Sequence, residues 1–291
     1  MKQGKRHIIQ GIVALAYNAN LPSFANGTIW QGASKKVCVP GLNCYSCPGA
    51  LGSCPIGSLQ AILGGGRRGV SFYVVGLMLF FGALLGRLIC GFLCPFGLVQ
   101  DLLHKIKTPK LRIPKKADKY MRYIKYGILA VFVILMPLLL KNDFGIGTPY
   151  FCKLICPAGT LEGGIPLVLA NEGLRSIVGF LFSWKMGLLI LTIAASILIY
   201  RPFCKYICPL GAFYGLFNRF SLYSMNVEKS TCTSCGACTH ACKMGVDVLK
   251  NINSTECIRC GACKQVCPTG SISSGFRRTK KEKAASSLNN I

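Results

Sequence analysis

The chain has 291 residues, 52% of them hydrophobic, with 34 Lys and Arg against 9 Asp and Glu, a net charge of +25 and a mean hydropathy of +0.46. That is too apolar for an ordinary soluble domain and points to a polytopic membrane protein. The basic residues flank apolar stretches, as the positive-inside rule expects, and no basic helix or aromatic-lined groove accompanies them; the partner they fit is the lipid bilayer and not a nucleic acid.

In chain order, the basic start Lys2 to Arg6 leads into Ile8–Phe24, an apolar run interrupted by Gln10, Asn18 and Asn20. Without a small-residue cleavage site it reads as a retained first span and not as a signal peptide. Val70–Ile89, Tyr123–Leu140 and Ile177–Tyr200 are each about the 20 apolar residues that a helical span needs, with Lys185 inside the last. Such an intramembrane lysine is a functional candidate unless it snorkels to the interface. Thr160–Ala170 is too short to span and is broken by Gly163, Gly164 and Pro166, so it reads as a re-entrant or interfacial half-helix packed inside protein. The segment from Lys105 to Lys125 holds nine Lys or Arg and one Asp, which places it, the N-terminus and everything after Tyr200 on the cytoplasmic side. Arg67 and Arg68 then fall outside, against the rule. The tail from Arg277 to Lys283 reads as a disordered basic segment near anionic lipid.

Cys-Pro-x-Gly occurs four times, at Cys54, Cys94, Cys156 and Cys208, and three copies have a second cysteine four residues upstream, at Cys90, Cys152 and Cys204. Proline suits the first helical turn, so each motif cysteine is predicted to occupy an N-cap, where free N–H groups and the helix dipole stabilise a thiolate. The motif glycine would let backbone approach inorganic sulfide. Loop charge sorts the copies into outer (Cys54, Cys156) and inner (Cys94, Cys208), and a tandem pseudo-repeat emerges, with outer-to-inner spacings of 40 and 52 residues. Parallel repeats are related by an axis along the membrane normal, which would gather Cys90, Cys94, Cys204 and Cys208 into an inner site. The outer site takes Cys152, Cys156 and Cys54, with Cys47 as the nearest fourth thiol. Cys38 and Cys44 are left as a disulfide, a second centre or a replacement for Cys47.

Near the C-terminus, Cys232, Cys235, Cys238 and Cys242 are followed by Cys257, Cys260, Cys263, Cys267 and Pro268. This is the bacterial two-cluster pattern, in which the fourth cysteine of each run ligates the other cluster. Cys232, Cys235, Cys238 and Cys267 are expected to hold one [4Fe–4S], and Cys257, Cys260, Cys263 and Cys242 the second, with Gly236 and Gly261 in the tight turns. Such thiolates need a reducing compartment.

With its C-x-x-x-C-P motifs at span ends and its two-cluster module, the chain resembles the NapH and NosR group of polytopic membrane ferredoxins. The resemblance implies iron–sulfur electron transfer at or across the cytoplasmic membrane for a partner oxidoreductase. The expected architecture is mainly α: residues 1–110 and 111–226 as two membrane half-repeats, 227–275 as a cytoplasmic α+β ferredoxin module, and 276–291 as the tail. The expected role is an electron-transfer subunit, passing electrons from a soluble cytoplasmic donor to an extracytoplasmic or membrane partner, with a flavoprotein or quinone as candidates. Two alternatives stay open. One is quinone-linked chemistry, with Glu162 or Tyr214 as proton relay. The other is a redox-sensing or maturation role for a partner metalloenzyme.

Overall fold

Every Cys-Pro-x-Gly motif starts a helix. In the computed structural model, which describes residues 3–65, 72–111, 113–143 and 145–276, helices begin at Pro55, Pro95, Pro157 and Pro209, with Cys54, Cys94, Cys156 and Cys208 in extended backbone at the N-cap. Proline in the first turn gives up an N–H that has no intrahelical partner. The helix after Cys156 passes through a π-helical turn, Thr160–Gly164, into Ile165–Ala170.

Two helices, Lys115–Leu139 and Phe180–Leu198, are long and apolar enough to cross a bilayer, while Phe72–Leu85 is apolar but shorter. Two expected spans therefore take a different form. The first helix runs Gln3–Tyr17, and Asn18 ends it by donating to the Ala14 carbonyl at 3.0 Å and to Asn43 Oδ1 at 2.9 Å. The stretch predicted as Val70–Ile89 breaks after Leu85 at Gly86, whose φ of +52° no helix accommodates, and resumes as Leu88–Phe92. Arg67, Arg68, the first residues of that predicted span and the basic tail lie outside the described residues.

The C-terminal module is closed by a two-stranded antiparallel sheet, with Tyr223 opposite Phe276 and Val227 opposite Ile272. Its first strand starts ahead of position 227, the expected start of the module. Gly236 and Gly261, both at φ +76°, cap the short helices Ala237–His240 and Ala262–Gln265, and the left-handed backbone there explains glycine at both places. Arg259 adopts φ +54° without being glycine. Its guanidinium compensates by donating to Leu85 O and Asn218 O at 2.8 Å and to Ser221 Oγ at 2.6 Å.

Those bonds fasten the module to the helical part. One continuous core contains Cys54, Cys156, Cys90, Cys94, Cys204 and Cys208, with Cys152, Cys242, Cys257 and Cys260 packed against it. A second core inside the module shares Cys242 and Cys257 with the first. The contact is tight at Gly91, where an added methyl would stand 2.4 Å from the Ile258 carbonyl oxygen. Gly91→Ala is therefore expected to lower the thermal midpoint by several degrees and speed proteolysis between residues 218 and 227, whereas Gly76→Ala, with open space around it, changes neither.

Candidate metal centres

The eighteen cysteines are all free thiols, and sixteen of them fall into four groups. In the module, Cys232, Cys235, Cys238 and Cys267 line one pocket. Cys242, Cys257, Cys260 and Cys263 line another, and their thiols interact electrostatically with one another. Each group combines three cysteines of one run with the fourth of the other. Burial pushes the Cys257 thiol up to about 12 and Cys263 to about 11. Sulfurs so placed are poor free thiolates and fit a metal that takes the proton's place.

In the helical part, Cys90, Cys94, Cys204 and Cys208 come together, all 5% exposed or less. The reach across this group is reciprocal. Arg87 donates to the Cys204 carbonyl and Arg201 to the Cys90 carbonyl, both at 2.6 Å. Each arginine lies three residues ahead of its own motif pair, an R-x-x-C-x-x-x-C-P pattern present twice. A methyl at Gly97 would meet Arg201 Nη1 at 3.2 Å, and one at Gly211 would meet Arg87 Nη2 at 3.2 Å. These two motif glycines thus make room for the opposite guanidinium.

The remaining group differs from expectation in one member. Cys44, Cys54, Cys152 and Cys156 line a cavity of about 950 Å³. Cys44 and not Cys47 faces Cys54, Cys152 and Cys156. Here too the contacts come in pairs: Gly57 lies 3.8 Å from Cys152 Sγ and Gly159 3.5 Å from Cys44 Sγ, measured from a built methyl. Cys47 is buried behind Cys44, its carbonyl accepting from Lys35 Nζ at 3.3 Å. Cys38 and Cys44 are not joined as a disulfide; Cys38 Sγ instead faces the Ser53 and Ser58 hydroxyls at 3.3 Å. Choosing the thiol nearest to Cys54 in sequence misled the sequence argument. The loop from Pro40 to Cys44 folds inward, so that Cys44 occupies the place opposite Cys152 although it is ten residues from Cys54.

That loop also connects the two buried groups. The amide of Leu42 faces Cys94 and the next amide, of Asn43, faces Cys54. Tyr214, fully buried, donates to the Pro40 carbonyl at 3.1 Å and holds the loop in place. Positions six residues after the motif cysteines reach across as well. Gln60 Nε2 donates to Cys152 Sγ at 3.3 Å, Gln100 Nε2 to Cys204 Sγ at 3.0 Å, and the Glu162 carboxylate accepts from the Cys44 amide at 2.6 Å. Lys185 donates to the Cys152 carbonyl at 3.2 Å.

Buried ion pairs surround the Cys90 group. Glu256 pairs with Arg87 at 2.7 Å and Lys125 at 2.5 Å; burial alone would raise its carboxyl, but these cations hold it down at about 2. Asp101 pairs with Arg201 at 2.6 Å and Arg6 at 2.7 Å, and is likewise held at about 2 against the effect of burial. His7, 3.5 Å from Asp101, is pushed down by burial and by Arg6. Asp118 pairs with Lys205 at 2.6 Å and accepts from Tyr206 at 2.6 Å, while Arg122 reaches the Met244 carbonyl of the module at 3.1 Å. The sequence reading missed all of these. The repeated R-x-x-C offset was legible for Arg87 and Arg201, whereas nothing local marks Glu256 or Asp101.

Among the described residues, no three His, Cys, Asp or Glu side chains close around the position of a single metal ion. The donor sets are four thiols apiece, which suits a multinuclear iron–sulfur group.

A 4Fe-4S binding domain family model matches residues 69–114 and again 180–227, the stretches that carry Cys90 with Cys94 and Cys204 with Cys208. A second 4Fe-4S binding domain model matches residues 250–273. An uncharacterised protein of Methanocaldococcus jannaschii is 27% identical over 72% of this chain and 72% of its own length. The methylamine utilization ferredoxin-type protein MauN of Paracoccus denitrificans is 30% identical over 56% of this chain. The ferredoxin-type protein NapH of Haemophilus influenzae is 26% identical over 57%. The matched region spans half the length of MauN and half that of NapH. No solved structure matches.

Proposed function

We propose that this chain, an iron–sulfur protein of the NapH/NosR-like family that binds [4Fe–4S] clusters, is a transmembrane electron relay with four stations in series. The first station is Cys232, Cys235, Cys238 and Cys267, and the second is Cys257, Cys260, Cys263 and Cys242. The third, inner station is Cys90, Cys94, Cys204 and Cys208. The fourth, outer station is Cys44, Cys54, Cys152 and Cys156. Each would hold a [4Fe–4S] group, which when bound takes up and returns one electron.

The single observation that carries the reading is the unbroken adjacency of the four thiol groups. Cys242 and Cys257 pack against both cores. Arg87 touches Thr255 O at 2.7 Å on the module and Cys204 O at 2.6 Å on the inner group. The Leu42 and Asn43 amides bridge inner and outer. The chain's part is to bury each group, exclude water between neighbours and fix their separation. The reciprocal arginine and glycine contacts support a tandem pseudo-repeat, as does one family model matching both halves. The charge of the Lys105–Lys125 segment supports a cytoplasmic module and a donor on that side.

An acceptor on the outer side follows from the cavity of about 950 Å³ at the fourth station, where Tyr45, Tyr73 and Ile62 join the thiols. This cavity also favours a second reading, with a membrane quinone as acceptor. The test is the holoprotein in sealed vesicles, with a non-permeant reductant on the module side and a trapped dye inside. Dye reduction that Cys90→Ser and Cys152→Ser each abolish is the expected result. Reduction that persists in either variant, or none in the unaltered protein, would overturn the relay. Uptake of electrons by added quinone in place of the dye would select the second reading.

A further inference from the structure

The two buried stations have unlike electrostatic surroundings. Around Cys90, Cys94, Cys204 and Cys208 stand four cations, Arg6, Arg87, Lys125 and Arg201, and two carboxylates, Asp101 and Glu256, each 3% exposed or less. The ion pairs fix them in two triads, each with one cation in excess. Two of the four cations bond directly to cysteine carbonyls of the station. Around Cys44, Cys54, Cys152 and Cys156 the corresponding groups are Lys185 on the Cys152 carbonyl, Lys35 behind Cys47, and the Glu162 carboxylate on the Cys44 amide. Counted with Glu162 ionised, the excess is two positive charges at the inner station and one at the outer.

We propose that the Arg6–Asp101–Arg201 and Arg87–Glu256–Lys125 triads make the inner station the electron reservoir of the relay, the more easily reduced of the two buried groups. The inference rests on the four-station reading. Reduction adds one negative charge to an anionic group, and buried cations favour that charge where water does not screen it. Both stations receive helix N-terminal amides and a glutamine N–H, and the inner one, whose four thiols are all buried, keeps its charges farther from water than the outer one, where Cys44 and Cys152 are partly exposed. Electrons entering from the module would collect at the inner station and move on only when an acceptor draws them from the outer one. Arg201 and Asp101 are positioning residues in this scheme, acting through the station's field.

The test is an anaerobic redox titration of the full holoprotein in lipid, followed by EPR, with the two signals assigned by their loss in Cys90→Ser and Cys152→Ser. The Cys90-dependent signal is expected to appear at the higher potential. Asp101→Asn removes a negative charge and should raise it further, by a roughly tenfold change in the reduced-to-oxidised ratio at a fixed poise. Arg201→Gln should shift it the opposite way, and Arg201→Lys, which keeps the charge, should stay near the unaltered protein. Opposite signs separate a field effect from mere loosening, which would move both variants alike. A Cys152-dependent signal at the higher potential, or same-sign shifts in Asp101→Asn and Arg201→Gln, would overturn the reservoir while leaving the four stations standing. If Cys90→Ser removes no signal, the four-station reading fails and the reservoir with it.

Discussion

Cys44→Ser is expected to remove one complete iron–sulfur group, lowering iron from about sixteen to about twelve atoms per chain, four for each thiol quartet. Cys47→Ser is expected to leave the iron content unchanged. The two residues are three apart in sequence, and both are buried or nearly so. Only Cys44 faces Cys54, Cys152 and Cys156. Its amide is held by Glu162 at 2.6 Å, so the loop stays in place when the sulfur is exchanged for oxygen and the loss is one of ligation. Iron analysis of anaerobically purified protein, with EPR of the reduced state, decides it. Equal iron in Cys44→Ser and the unaltered protein, or a loss in Cys47→Ser, would refute the outer set as drawn. Cys38→Ser provides a further control, since its thiol is engaged by two serine hydroxyls. It too should retain all the iron.

The contrast between Cys44 and Cys47 shows where sequence reasoning reached its limit. The helix starts were legible because a Cys-Pro pair has few backbone options, and all four motifs begin helices where the residues imply. The grouping of Cys90 with Cys204 was legible from equal spacing. The loop from Cys38 to Cys54 carries no periodicity. Its course depends on contacts made far away in the chain, at Tyr214, Glu162 and Asn18. Span lengths failed for a related reason. Asn18 and Gly86 end helices through hydrogen bonding and positive φ, neither of which a hydropathy window senses. The buried carboxylates were missed because Asp101 and Glu256 look like ordinary interfacial and loop acids until their cationic partners arrive from 95 or more residues away.

Glu256→Gln is expected to uncouple the module from the helical part. Glu256 is 3% exposed and accepts from Arg87 and Lys125, neither of which has measurable exposure. Its removal leaves two buried cations facing each other without a counter-charge, a loss of about 3–5 kcal/mol when one partner of a buried ion pair is deleted. Arg87 is the side chain that bonds both Thr255 on the module and Cys204 on the inner station, so the loss falls on the joint between the second and third stations. The expected results are faster proteolytic release of the module and slower appearance of the Cys90-dependent EPR signal after rapid mixing with a reductant that meets the module first. Glu228→Gln, an exposed change in the same module, should do neither. Because Glu256→Gln also removes a negative charge beside the inner station, its equilibrium potential should rise while its rate of filling falls. A barrier set by driving force alone would make the two move together, with the more easily reduced station filling faster. Opposite movement therefore identifies Glu256 as a docking residue whose loss widens the gap between stations, and parallel movement would reduce its role to that of a local charge.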